Sequence, residues 1–183
     1  MNYKWYALKV ITGKELAVRD ALEQLRIRAA VPQEERLIRS KGEWNTKLYT
    51  LFVGYVFVYI AYNADNYYAI RAVNHVLDFL RYGAEPVPLT YLEAEWIRQL
   101  AGNGQPLKPS VIRLDGEGNI REINGVLEHF AARIIKYDKH ARKAHIEVSI
   151  GPEKKELQLS AVLDEDNDAE AGDEPSEEDE DTG

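Results

Sequence analysis

Hydrophobic and polar positions follow two periods along this chain, and the changes between them mark its elements. Bulky residues alternate through Tyr3–Val10 around Trp5, Tyr6 and Leu8, which predicts a strand. Val18, Leu22 and Leu25 then recur at i, i+4 and i+7, with Arg19, Asp20, Glu23 and Arg26 between them, which predicts an amphipathic helix. Thr12 and Glu15 stand at capping-box spacing at its start. Residues 33–50 are mostly polar around Lys41-Gly42 and predict a mobile hairpin or loop. The most apolar run, "LFVGYVFVYI" from Leu51 to Ile60, predicts a strand. Regular alternation sets Phe52, Val56 and Val58 on one face and Val53, Tyr55, Phe57 and Tyr59 on the other, unless Gly54 admits a bulge that re-aims Phe52. Asn63 or Asp65 can cap a short helix over 67–73, and Val76–Leu80 reads as a strand. A second capping box, Thr90-x-x-Glu93, opens a helix with Leu92, Trp96 and Leu100 spaced by four.

This order predicts an α+β domain over residues 1–101, an antiparallel sheet with helices on one face. Gly102, Gly104, Pro106 and Pro109 give residues 102–113 the composition of a linker. Short strand-like runs over 118–123, 131–137, 144–150 and 156–159 then predict a small all-β barrel at 114–163.

Charge divides as sharply as pattern. The 183 residues carry a net charge of -8, but 12 of the 31 acidic residues lie in 164–183 and no basic one does. The remaining body has 23 basic and 19 acidic residues. An acidic, aromatic-free run cannot bury enough surface to offset its ordering entropy, so residues 164–183 are expected to be a disordered tail. It fails as a calcium loop, because Ala169 and Pro175 occupy the positions where glycine and glutamate are needed. The absence of cysteine excludes disulfides, thiolate nucleophiles and cysteine-ligated zinc. No window approaches a membrane span, and the N-terminus does not read as a signal peptide, so a cytoplasmic monomer is expected. His75, His129, His140 and His145 form no metal-ligand spacing, and the serines sit in no nucleophile elbow. The expectation is therefore a binding protein without catalytic residues, metal or cofactor.

Two surfaces are candidates. The face of "LFVGYVFVYI" bearing Tyr55, Phe57 and Tyr59 would be more apolar than a monomer usually leaves exposed, which points to docking; its bland alternative is an ordinary core strand. The stretch "ARIIKYDKHARKAHIEV" clusters Arg133, Lys136, Lys139, Arg142 and Lys143 around one predicted hairpin, which suits phosphate contact, although a solvated turn also carries lysines.

"WYALKVITGKE", "LFVGYVFV" and "GNIREINGVLEHFAARIIKYDKHARKAHIEVSI" occur in this order and spacing over residues 1–163. Together they resemble the NusG family of transcription elongation factors, an N-terminal NGN domain followed by an SH3-like KOW domain. "IIKYDKHARKA" looks most like LoaP, a specialised antiterminator branch. The resemblance implies that the first domain docks on the clamp helices of the largest RNA polymerase subunit through Trp5, Phe52, Tyr55 and Phe57, with Phe79 and Tyr82 as further candidates. It implies that Arg71, Asn74 and His75 face non-template DNA, and that Arg133, Lys136, Lys139, Arg142 and Lys143 hold a nascent RNA hairpin, suppressing pausing and termination at specific operons. The alternatives are a general NusG-type factor linking polymerase to ribosomal protein S10 or Rho and, outside the family, an RRM-like module for single-stranded RNA. Val53 stands where the family strand usually has proline. Gly125-Val126-Leu127-Glu128-His129 departs from the usual KOW turn.

Overall fold

The computed structural model of the chain describes residues 1–164. Of the expected disordered tail, 164–183, residues 165–183 lie outside the described residues, and Asp164 pairs with Arg113. The first domain runs β1 (Tyr3–Val10), α1 (Glu15–Gln24), β2 (Arg28–Ala30), β3 (Gln33–Ser40), β4 (Glu43–Thr50), β5 (Tyr55–Ala61), α2 (Ala64–Arg71), β6 (Val76–Phe79), a small ladder of β7 (Arg81–Tyr82) and β8 (Glu85–Pro86), and α3 (Tyr91–Leu100). Its sheet has the order β2-β5-β1-β6 and is antiparallel, with Trp5 opposite Tyr59, Ala7 opposite Phe57 and Lys9 opposite Tyr55.

Side-chain alternation gives this sheet two apolar faces. Leu8, Val10, Val56, Val58 and Ile60 pack with Val18 and Leu22 of α1 and Ile70 of α2. Each such buried aliphatic contributes roughly 1.5–3 kcal/mol relative to exposure. The opposite face, with Ala7, Tyr55 and Phe57, shares a core with Trp96, Ile97 and Leu100 of α3 and with residues of the second domain. The expectation of helices on one face is thus corrected: α1 and α2 take one side and α3 the other, because both faces are apolar.

Two local expectations also change, and a third is settled between its alternatives. Glu15 does not close a capping box with Thr12; Lys14 is the N-cap and supplies no side-chain bond. The buried Glu15 carboxylate instead accepts the backbone N–H of Gly13 at 3.2 Å and of Gly54 at 2.7 Å, tying the start of α1 to the turn before β5. Residues 51–54 are that turn rather than strand: Tyr55 N donates to the Phe52 carbonyl at 3.1 Å, and Gly54 has a left-handed φ of 82°. The polar stretch 33–50 is a hairpin paired along all eight residues of each strand. Lys41 and Gly42 both take positive φ, the conformation of a tight turn whose twist matches its strands.

The second domain is a five-stranded sheet, order β10-β9-β13-β12-β11, built from β9 (Ser110–Leu114), β10 (Ile120–Asn124), β11 (Ile134–Asp138), β12 (Lys143–Ile150) and β13 (Glu153–Leu163). β9 begins inside the stretch expected to be linker and pairs in parallel with β13. Residues 126–133 form a 3₁₀ segment, so the strand expected from 131 starts at 134. Leu127 and Phe130, three residues apart in this segment, are both buried. Part of the interdomain stretch is strapped to the first domain: Leu107 N donates to the Gln33 carbonyl and Glu35 N to the Leu107 carbonyl, both at 2.8 Å.

Candidate functional site

The turn at 51–54 resolves how Phe52 and Tyr55 can act together. It brings Phe52 back against Phe57, ring centroids 5.1 Å apart and edge to face, so that Phe52, Tyr55 and Phe57 join one core cluster with the half-buried Trp5 packed on it. Arg28 lies over the Trp5 and Tyr59 rings at 5.4 and 5.7 Å. Phe79 does not join them. It lies in the opposite cluster, stacked on Tyr67 at 5.4 Å and edge-on to Tyr6 and Tyr62. Tyr82 stands 73% exposed on the β7–β8 ladder.

The face of Tyr55 and Phe57 is not open. Both are buried: Phe57 lies against Phe52 within the cluster that includes α3, and Tyr55 is met by residues just after the turn between β12 and β13. The Glu153 carboxylate accepts from the Tyr55 hydroxyl and pairs with Lys9 at 2.8 Å and Lys155 at 2.9 Å. The Lys9 ammonium, followed by the Tyr55 hydroxyl, holds the Glu153 carboxyl down at about 2. Burial, then the Glu153 contact, pushes the Tyr55 phenol up. Lys155 sits over the Tyr55 ring at 4.6 Å.

Neighbouring contacts follow the same pattern. The Thr90–Glu93 capping box forms as its spacing predicts, Thr90 N donating to Glu93 Oε2 at 2.7 Å and Glu93 N to Thr90 Oγ1 at 3.3 Å. The other oxygen of Glu93 accepts Gly151 N at 2.8 Å, so one carboxylate caps α3 and holds the second domain. Leu80 packs on Gly151, where a Cβ would come within 3.1 Å of it. Arg133 lies over the Trp96 ring at 4.2 Å. Buried Glu34 accepts Ser160 N at 2.8 Å and also pairs with Arg36.

The basic residues divide accordingly. Arg133 is drawn to the domain joint, whereas Lys136, Lys139, Arg142 and Lys143 stay on the β11–β12 hairpin, with Lys136 opposite His145 and Lys143 opposite Asp138. Asp138 Oδ1 accepts Ala141 N at 2.8 Å, which orders the tip and holds the Asp138 carboxyl below its usual range. Arg142 reaches the Trp44 ring of the β3–β4 hairpin at 5.9 Å. Arg71, Asn74 and His75 are exposed together between α2 and β6; Arg71 donates to the Leu77 carbonyl and His75 takes a left-handed φ of 72°.

Sequence reasoning missed Glu34, Glu93, Trp96 and Glu153 as joint residues and Trp44 and Tyr49 as ring contacts for cations. Only Trp44, the one tryptophan in a mostly polar run, offered a local signal. Among the described residues no helix is long and apolar enough to cross a membrane, and no group of acidic or histidine side chains could hold a metal ion.

These two joined domains match known proteins along most of their length. The family model described as transcription termination factor NusG matches residues 3–98, and the chain belongs to this family. It is 28% identical over 158 residues to the transcription termination/antitermination protein NusG of Campylobacter jejuni, covering 81% of this chain and 89% of the relative. It is 28% identical over 156 residues to the protein of the same name from Helicobacter pylori strain J99, covering 80% and 88%. A solved structure described as domain interaction in Thermotoga maritima NusG superposes with a TM-score of 0.58 at 25% identity, over 87% of this chain and 94% of that one. The family match over the first domain replaces its reading as an RRM-like module.

Proposed function

We propose that this chain is an antitermination factor of the LoaP kind, binding the clamp helices of RNA polymerase through Trp5, Phe52, Tyr55 and Phe57 and a nascent RNA hairpin through Lys136, Lys139, Arg142 and Lys143 of its KOW domain. The observation that carries the docking reading is the aromatic face itself. Its cover is held at the rim by charged and capping contacts, Lys9–Glu153–Tyr55 and Glu93–Gly151, rather than by continuous covalent or sheet structure. Polar rims of this kind exchange with water at modest cost, so a partner that supplies apolar surface can replace the second domain. Arg71, Asn74 and His75, adjacent and exposed, would meet non-template DNA. Arg133 belongs to the closed joint and is released for RNA when the domains part.

The test is binding of the full chain to RNA polymerase with Tyr55→Ala. Tyr55 lies at the rim, whereas Phe52 and Phe57 also hold the core and their removal would unfold the domain. The expected result is a loss of polymerase affinity of about 2 kcal/mol or more, as for an aromatic anchor, with RNA-hairpin affinity retained. Undiminished polymerase binding refutes the docking role. The names of the two relatives favour a second reading, a general NusG-type factor. In it the KOW domain binds ribosomal protein S10 or Rho in place of an RNA hairpin, and a hairpin titration separates the two.

A further inference from the structure

The tip of the β11–β12 hairpin does not end in solvent. It faces the β3–β4 hairpin across a cavity of about 480 Å³, lined on one side by Arg36, Trp44 and Tyr49 and on the other by His140, Arg142 and Lys143. Leu37 and Ile38, whose side chains point to opposite faces of β3, both border it, so it runs along the edge of that strand. We propose that this cavity binds an unpaired stretch of nucleic acid, with Trp44 and Tyr49 as stacking platforms and the surrounding cations as phosphate contacts. The proposal extends the RNA-binding reading of the KOW tip, since Arg142 and Lys143 serve both.

Four observations converge on this chemistry. Trp44 is 53% exposed and belongs to neither of the two buried core clusters. The Arg142 guanidinium already lies over it at 5.9 Å, and Tyr49 carries Arg36 at 4.3 Å and Lys47 at 5.3 Å. Rings that attract planar and cationic groups in this way accept a base on the same π-face, and the displaced cation is then placed to meet the phosphate. Charge favours an anion. Arg39 stands opposite Trp44 and Lys41 at the hairpin turn, while among the described residues the acids nearby include Glu43 at that turn, Glu34, buried against Arg36 and Ser160 N, and Asp138, occupied by Ala141 N. Finally, the walls are fixed to one another: Glu34 accepts Ser160 N, and Arg36 Nη2 donates to the Gln158 carbonyl at 3.0 Å. A cleft of this volume suits one or two splayed nucleotides and excludes a duplex, in which the π-faces are already stacked.

The test titrates the full chain with fluorescein-labelled dodecamers of uridine and of deoxythymidine, and separately with a blunt RNA hairpin lacking unpaired flanks. Native protein is expected to bind a dodecamer, and Trp44→Ala to weaken that binding about 10-fold, as loss of one stacking platform does. Trp44→Phe should restore most of it, and hairpin binding should be unchanged by either. Binding confined to the uridine oligomer identifies a transcript as the source, and equal binding of both admits an exposed DNA strand. Failure of native protein to bind either oligomer, or unchanged binding by Trp44→Ala, overturns the proposal. Loss of hairpin binding alone by native protein would instead count against the KOW-tip reading. Because Trp44 is exposed, its substitution leaves the core intact, and circular dichroism checks this.

Discussion

Replacing Glu153 by glutamine should loosen the contact between the two domains. The carboxylate accepts from the Tyr55 hydroxyl and pairs with two ammonium groups, Lys9 at 2.8 Å and Lys155 at 2.9 Å, of which Lys9 and Tyr55 come from the first domain. Its carboxyl falls from 4.5 to about 2 in this setting, which corresponds to roughly 3 kcal/mol of preference for the ionised, closed form. The side chain remains 28% exposed, so solvent screening reduces this to about 1–2 kcal/mol, a factor of roughly 5–30 in the closed-to-open ratio. The sign in pH follows. A depressed carboxyl stabilises the closed form fully above its free value of 4.5, and that contribution is lost as pH falls toward about 2. The chain has no cysteine, so donor and acceptor dyes can be attached at Lys14→Cys and Glu117→Cys and the interdomain distance followed by energy transfer. Glu153→Gln should raise the open population at neutral pH, and the native protein should lose its excess of closed form between pH 4.5 and 2 relative to that variant. Identical populations for both proteins throughout this range would refute the role assigned to Glu153. Glu93–Gly151, Arg133–Trp96 and Glu34–Ser160 persist in the variant, which is why partial rather than complete opening is expected.

Glu34→Ala should cost about 3 kcal/mol in urea unfolding, because it strips a partner from Arg36 and from the buried Ser160 N–H at a carboxylate that is only 1% exposed; a loss under about 0.5 kcal/mol would show that water replaces it freely. Arg142→Glu with Lys143→Glu should weaken RNA-hairpin binding and reduce the slope of log affinity against log salt by about 1.5, the release of two phosphate contacts; an unchanged slope would remove the tip from the RNA surface.

Local rules carried the fold far where one force dominated. Thr90 and Glu93 form their capping box because both partners lie within one turn and the distant Gly151 N–H takes the other carboxylate oxygen, Oε1, leaving Oε2 to the cap. The same spacing at Thr12 and Glu15 failed because Gly54, distant in sequence, offers its N–H at 2.7 Å and takes the carboxylate. Lys41-Gly42 marked a turn correctly. The polarity of residues 33–50 nevertheless left a mobile hairpin and a loop as alternatives, because a two-stranded hairpin has little apolar face of its own and gains order from Leu107 and Ser160, which lie far along the chain.

The candidate surfaces show the same division between local and long-range causes. Alternation along β5 correctly separated Val56 and Val58 from Tyr55 and Phe57; regular counting would set Phe52 with the valines, and the alternative that Gly54 re-aims it is the one found. A positive-φ glycine turns the chain before the strand begins, and no count by twos survives a turn. Alternation also left Tyr55 and Phe57 uncovered, since periodicity describes one sheet and cannot see a second domain. Phe57 is covered by Phe52 and by the cluster that includes α3, while Tyr55 is met by Glu153 and Lys155, whose sequence context, like that of Gly151, is that of an ordinary hairpin end. Their importance comes from meeting Tyr55, Lys9 and Glu93 across the joint. A polar residue near a strand end therefore reads as solvated until the element it faces is known. This is why the basic tip was legible as a cluster, while the division of its cations between Trp96 at the joint and Trp44 at the cleft was not.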